Sequence, residues 1–383
     1  MDFEFTDDQA SLRDAVARWV DKGFSFDRRH KLAKAGGATR AVYRELAELG
    51  LAGLAVPEAH GGLGFGPIEA MVVCEELGKG LVNAPYAHAA LVAPALLAAA
   101  PAALQSEWLP KIASGDALVV LAHHERGARY QLNRVATRAT QSAGQWVLTG
   151  SKSLAPAGDE ADAFIVPARL VGETSSETGI EASSPAGVGL FLVAAKAAAV
   201  QAYPTQDGGR AAEVVLNNSA AALITADGFD VLERAVDIGI AAQCAEAVGL
   251  MDRLVAITID YMNTRKQFGV TLATFQVLRH RMADVKMQLE LGRSMSYFAS
   301  LKLGEGPAQR RRAISQARVQ LCNSARLVGQ HCTQIHGGIG VTDEYISSHY
   351  FKRLTMIELG FGDALHHLGE VSARMQDSAG VFA

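Results

Sequence analysis

A chain of 383 residues with 36 basic and 40 acidic side chains, a net charge of −4, and 49% hydrophobic against 20% charged residues has the composition of an ordinary globular protein. That balance excludes a disordered or collagen-like chain, and it lacks the excess of lysine and arginine that strong binding to nucleic acid or an anionic membrane requires. At roughly 150 residues per domain, the length provides for two or three domains, or one large core with an inserted layer.

Thr6 with Gln9 three residues on, followed by Leu12, Ala15, Val16, Trp19 and Val20 at helical spacing, reads as a capping box opening an amphipathic helix. Helical spacing returns at Thr39–Leu49, Pro67–Gly78, Ala89–Ala99 and Ala102–Ile112, while the glycines and proline of Val56 to Gly64 mark a turn-rich loop. Residues 1–115 therefore read as an all-α domain. From Ala117 the pattern changes to short β-branched runs: Leu118–His124, Arg134–Thr140, Gln145–Leu148, Ala163–Ala168, Val188–Val193 and Ala211–Leu216. No helix-length pattern separates them, which predicts an antiparallel β-barrel or sandwich over 116–225 and argues against a parallel βαβ sheet. The polar stretch Gly172 to Pro185 reads as a solvated loop. Helical periodicity then dominates residues 226–383, with Phe229–Arg265, Phe275–Leu303, Ala308–His336 and Asp363–Gln376, and lengths that suit a packed bundle. The class is α+β, ordered α, β, α.

Cys74, Cys244, Cys322 and Cys332 lie in apolar, helix-like runs without CxxC spacing, as expected of reduced core thiols in a cytosolic protein. The first residues are acidic where a signal peptide is basic, and no run approaches the ~20 apolar residues that span a bilayer, so a cytoplasmic location is expected. Generic catalytic signatures are missing: His124-Glu125 has no second histidine four residues on, and neither GxSxG nor a Walker loop is present. Asp363, His366 and His367 do not read as a metal site, because adjacent histidines on a helix point about 100° apart; a solvated last helix is expected, and no metal. Two segments stand out. Arg265-Lys266-Gln267-Phe268-Gly269 closes a long helix just before Phe275-Gln276, and Gln334-Ile335-His336-Gly337-Gly338-Ile339-Gly340 breaks another. Both have a plain reading as helix caps. Both also suit a nucleotide diphosphate, since glycines admit phosphate to backbone N–H groups and a guanidinium supplies charged hydrogen bonds.

These segments, with Glu344-Tyr345 behind them and Val56-Pro57-Glu58 to Gly64 ahead, resemble the acyl-CoA dehydrogenase family over essentially the whole chain. Tyr203 to Gly208 and Tyr350 to Thr355 are similar in closer detail to the small subunit of pimeloyl-CoA dehydrogenase-like heteromeric enzymes. The resemblance implies an N-terminal helical domain, a middle β-barrel, a C-terminal four-helix bundle, and FAD bound at a dimer interface. It also implies that Arg265, Gln267, Phe268, Phe275, Gln276, Gln334, Ile335, Gly337 and Gly338 hold the adenosine diphosphate part of an FAD whose flavin belongs to the neighbouring subunit. The reaction implied is α,β-dehydrogenation of an acyl-CoA thioester, with a carboxylate taking the α-proton and the β-hydrogen leaving as hydride to the flavin.

Several expected groups are missing. Ungapped counting puts Phe361 at the place of the family's catalytic glutamate and Gly239 at its alternative place. His124-Glu125 stands for the family's Thr-Glu pair and Leu154-Ala155-Pro156 for its Trp-x-Thr, so an indole and an N–H that would face the flavin are lost. The expectation is a small subunit that serves FAD across an interface with a larger homologous subunit, passing electrons to an electron-transfer flavoprotein. Two alternatives stay open: a homo-oligomer whose base is Glu358 or Asp363 after a three-residue slip, and a flavin-free structural paralogue. The acyl group is not specified.

Overall fold

The computed structural model describes residues 4–37, 39–142, 144–171 and 184–375; of the stretch 172–185 expected to be a loop, all but the last two residues lie outside these. The first helices are α1 (Asp7–Gly23), α2 (Phe26–Lys34), α3 (Arg40–Glu48), α4 (Pro67–Lys79), α5 (Ala93–Leu97) and α6 (Ala102–Ala113). The capping box forms as expected: Gln9 N–H donates to Thr6 Oγ1 at 3.2 Å and Thr6 N–H to Gln9 Oε1 at 3.1 Å. Helix α2 was not foreseen. Its sequence, Phe-Asp-Arg-Arg-His-Lys-Leu-Ala-Lys, has no apolar stripe, and the residue it buries is Arg29. The expected helix at 89–99 is realised as a π-helical turn (Ala87–Val92) running into α5, where Pro94 has no N–H to give. In the loop after α3, a Cβ on Gly62 would overlap the Val56 carbonyl, so glycine is required there.

The middle sheet contains β1 (Val119–Leu121), β2 (Arg138–Ser142), β3 (Gln145–Pro156), β4 (Ala163–Leu170), β5 (Val188–Ala194), β6 (Ala199–Pro204) and β7 (Arg210–Thr225). Pairings β4–β2, β2–β3, β3–β7, β7–β5 and β5–β4 close a ring, and β6 pairs with β7 outside it. The antiparallel expectation needs one correction. Two short pairings are parallel: β1 with β4 (Val119↔Ala163) and β2 with β4 (Arg138↔Arg169). Parallel neighbours need a crossover, and here other strands make it where the sequence argument admitted only helices. Strand β6 was missed because its side chains are mostly exposed and do not alternate. Strand β3 extends eight residues beyond the apolar run that announced it, through register shifts at Leu148/Gly150 and Lys152/Ala155.

The last elements are α7 (Phe229–Thr264), the hairpin β8 (Lys266–Gln267) and β9 (Val270–Thr271), α8 (Gln276–Lys302), α9 (Pro307–His336), α10 (Ile346–Leu359) and α11 (Ala364–Met375). Helix α9 buries Ile314, Ala317, Leu321, Ala325, Val328 and Cys332 and packs against α8, α10 and α11. Helix α10 was not foreseen because its buried face includes Ser347, Ser348, His349 and Tyr350 as well as Leu354 and Ile357. Packing divides the chain into two compact units: residues 1–30, 67–82 and 240–383, and residues 31–66 with 83–239. In the first, α4 and α7 meet backbone to backbone, where a Cβ on Gly78 would strike the Glu246 carbonyl and one on Gly249 the Glu75 carbonyl. All four cysteines are buried free thiols.

Candidate cofactor site

The end of α7 turns into the β8–β9 hairpin through Arg265, whose N–H donates to Tyr261 O at 2.8 Å and whose carbonyl accepts from Leu272 N–H at 2.9 Å. With Gln267 paired to Val270, the hairpin loop is Phe268-Gly269, and both residues have positive φ (53° and 81°). Left-handed backbone at both loop positions favours Asn-Gly, so a phenylalanine there is strained. Its ring gains nothing within the chain: Phe268 is 92% exposed and meets only the edge of Phe275, 6.2 Å between centroids. Arg265, Gln267 and Gln276 are likewise exposed.

Helix α9 ends at His336 and Gly337 takes φ 65°, ψ −140°. A Cβ on Gly337 or Gly338 would meet nothing within 4 Å, whereas one on Gly340 would crowd the Thr333 carbonyl at 2.7 Å. Gly337 and Gly338 therefore present bare backbone to the outside, and Gly340 packs inward. Gln334 is exposed. Ile335 is buried, so any ligand contact it makes is through its main chain. Tyr261 joins the two segments: its hydroxyl donates to His336 O at 3.3 Å and its ring lies 4.6 Å from the imidazole. A guanidinium, three carboxamides, a free aromatic face and open glycine backbone suit a nucleotide diphosphate such as the ADP part of FAD.

In the middle sheet, Glu125 is buried and accepts from Lys152 Nζ (2.6 Å), Thr137 Oγ1 (2.7 Å), Ala136 N–H (2.7 Å) and Thr137 N–H (3.1 Å). Burial alone would raise its pKa, but the Lys152 charge and these hydrogen bonds outweigh that and hold it below the usual range. Lys152 is fully buried; burial lowers its pKa against the pull of Glu125. Beside this pair, Leu154 sits at φ 55°, 51% exposed, its N–H donating to Tyr203 Oη at 3.2 Å.

Phe361, where ungapped counting puts the family's base, lies in the turn between α10 and α11. Arg318, fully buried on α9, donates to the carbonyls of Ile357 and Gly360 and, at 3.3 Å, to that of Gly362. His367 Nε2 donates to Phe361 O at 3.0 Å, with Nδ1 3.1 Å from Ser315 Oγ. Three successive carbonyls, 360 to 362, are thus held by buried side chains. Phe361 is buried with φ 53°. Asp363 caps α11, its Oδ1 accepting from His366 N–H at 2.8 Å, and Glu358 is ion-paired with Arg326. A slip placing Asp363 at the Phe361 position would break this register. Gly239 lies buried within α7.

The last helix is not simply solvated. His367 is fully buried; burial first, then the nearby charges of Arg318 and Arg311, depress its pKa to about 2. Sequence reasoning missed a different cluster, because His30 lies 313 and more residues before its two companions: His30, Asp343 and His349 bring ligand-type atoms within 4.8 Å of one another. Arg29 donates to His349 Nδ1 at 2.8 Å, which leaves the proton on Nε2, directed to Asp343 O at 2.9 Å. Both ring nitrogens are engaged, and Lys352 also lies 3.3 Å from Asp343, so the group is a polar staple and not a cation site.

Family models described as the N-terminal and C-terminal domains of acyl-CoA dehydrogenase match residues 6–116 and 226–376. The chain belongs to the acyl-CoA dehydrogenase family. It is 26% identical over 390 residues to acyl-CoA dehydrogenase FadE27 of Mycobacterium tuberculosis, covering 99% of this chain and all of the relative. The solved ChsE4–ChsE5 complex from Mycobacterium tuberculosis contains a similar chain: TM-score 0.87, 26% identity, 98% of this chain and 99% of that one. A Mycobacterium smegmatis glutaryl-CoA dehydrogenase in complex with FADH2 shares the fold at TM-score 0.85 and 20% identity, over 97% and 95% of the two chains. The fold is the family's: N-terminal helices, a central β-domain and C-terminal helices. Members are FAD-binding oxidoreductases acting on the CH–CH group of acyl-CoA thioesters. Among the described residues, no helix is long and apolar enough to cross a membrane.

Proposed function

We propose that this chain is the smaller subunit of a heteromeric, FAD-dependent acyl-CoA dehydrogenase, with one FAD per heterodimer and a larger homologous subunit providing the flavin pocket and the base. The observation that carries this reading is an asymmetry. An exposed nucleotide-type grip, formed by the Arg265 hairpin and the bare Gly337-Gly338 backbone, belongs to a chain whose base position is Phe361. The exposed ring of Phe268 on a strained turn supports a covering partner, since solvent offers no return for that strain. The relative solved as a two-component complex supports the same assembly.

In this assembly the residues of the chain bind and orient. Arg265 pairs with the diphosphate, Gln267, Gln276 and Gln334 offer carboxamides to it and to the ribose, Phe268 and Phe275 cover the adenine, and Ile335, Gly337 and Gly338 admit phosphate to main-chain N–H groups. When bound, FAD supplies the acceptor for the β-hydrogen as the α-proton is removed by a carboxylate. Leu154 and Pro156 offer the flavin no indole and no N–H, in keeping with a chain that serves its neighbour's cofactor. Electrons pass to an electron-transfer flavoprotein, and the complex works in the cytoplasm.

The test is co-expression and co-purification with a larger acyl-CoA dehydrogenase homologue from the same organism. Flavin and acyl-CoA dehydrogenase activity are expected only in the mixture, and Arg265→Ala in the mixture should release FAD. Flavin with activity in the lone chain would establish a homo-oligomer instead, and flavin in neither preparation would leave a structural paralogue.

A further inference from the structure

We infer that Tyr261 is a positioning residue that sets the glycine turn against the Arg265 hairpin, so that the two segments grip one diphosphate together. The inference rests on the cofactor reading above.

Tyr261 lies in the last turn of α7, and it is bonded at both ends. Its carbonyl accepts from the N–H of Arg265, the root of the hairpin, at 2.8 Å. Its hydroxyl donates at 3.3 Å to the carbonyl of His336, the residue before Gly337 and the last of α9. That carbonyl has no partner within α9; it opens the short 3-10 turn Gly337–Val341 that follows, and Tyr261 gives it a second hydrogen bond from the side. The imidazole between them is fixed. His336 Nδ1 lies 2.8 Å from Cys332 O, a pure acceptor, so Nδ1 carries the proton and Nε2 is a bare acceptor. That Nε2 is buried and has no hydrogen-bond partner among the described residues. Burial, opposed by the bond to Cys332 O, depresses the pKa of His336 and keeps the ring neutral. The ring forms a triangle with two tyrosines, 4.6 Å from Tyr261 and 5.2 Å from Tyr345, and those two are 6.3 Å apart. A neutral ring held by Cys332 O and packed against both tyrosines transmits position without adding a charge beside the diphosphate. Tyr261 is thus the one side chain described here that reaches from the root of the hairpin to the root of the turn, 75 residues away.

Removing only the hydroxyl, Tyr261→Phe, keeps the aromatic contact and takes from the His336 carbonyl its bond to α7. A neutral hydrogen bond of ordinary net strength corresponds to about five-fold in an equilibrium constant, and losing it lowers the ratio of competent to displaced turn by that factor, and the competent population by up to as much. In the complex of both subunits, FAD affinity followed by flavin fluorescence should weaken by up to about five-fold. The kcat at saturating FAD should stay unchanged, and the melting temperature of the flavin-free chain should fall by no more than about 2 °C. Tyr345→Phe, which leaves the bond to His336 intact, should bind FAD normally. Unchanged FAD affinity in Tyr261→Phe, with FAD lost from Arg265→Ala, would overturn this inference and leave the cofactor reading standing. Equal weakening by both tyrosine variants would also overturn it. If Arg265→Ala leaves FAD affinity intact, the cofactor reading fails and this inference with it.

Discussion

Phe268 and Gly78 show how single residues trade stability against other demands. Phe268 holds a left-handed backbone that asparagine tolerates better, so Phe268→Asn should stabilise the isolated chain by up to about 1 kcal/mol in urea unfolding while weakening FAD binding in the complex. A loss of stability would show that the ring packs usefully within its own chain. Gly78 is under the opposite constraint. Its missing Cβ lets α4 approach the Glu246 carbonyl of α7, and Gly78→Ala should cost about 3 kcal/mol by the same measurement.

At the scale of elements, the barrel strands β3 and β7 pair around a buried charge, and the α10–α11 turn is pinned by one. Glu125→Gln should destabilise by about 3–5 kcal/mol, because Lys152 would be left buried without its anion. Replacing both partners by apolar residues of similar size should recover much of that loss, and denaturant midpoints of the single and double variants would show it. The turn holding Phe361 takes two hydrogen bonds from Arg318, which also bonds Ile357 at the end of α10, so its conformation is set by α9 and not by its own sequence. This is why counting from Glu344-Tyr345 could find Phe361 but not its immobility. The capping box, by contrast, needed only Thr6 and Gln9, three residues apart.

Across the whole molecule, stability should fall in mild acid. Burial depresses the pKa of His123, His124, His336, His349 and His367. Below the ordinary value near 6.5 the unfolded chain takes up protons that these rings in the native state do not, so unfolding gains as pH drops. For His367 alone, with a native pKa near 2, the loss between pH 7 and pH 5 is about 2 kcal/mol. His367→Gln, which keeps a donor for Phe361 O, should flatten the acid limb of the melting curve by that amount; an unaltered slope would assign the acid sensitivity to the other histidines.

The sequence by itself determined the order of helices, strands and helices and the places where glycine turns interrupt the long helices, because each is encoded by periodicity or composition within about ten residues. It did not reveal α2 or α10, whose buried faces carry charge and hydroxyls in place of an apolar stripe, nor the parallel pairings of β4, which depend on strands distant in the chain. Only the tertiary structure decided that Phe268 stands in solvent, that Arg318 and His367 lock the turn bearing Phe361, and that Tyr261 meets His336. Those are contacts across 6 to 75 residues, and their geometry exists only once helices α7, α9 and α11 have packed.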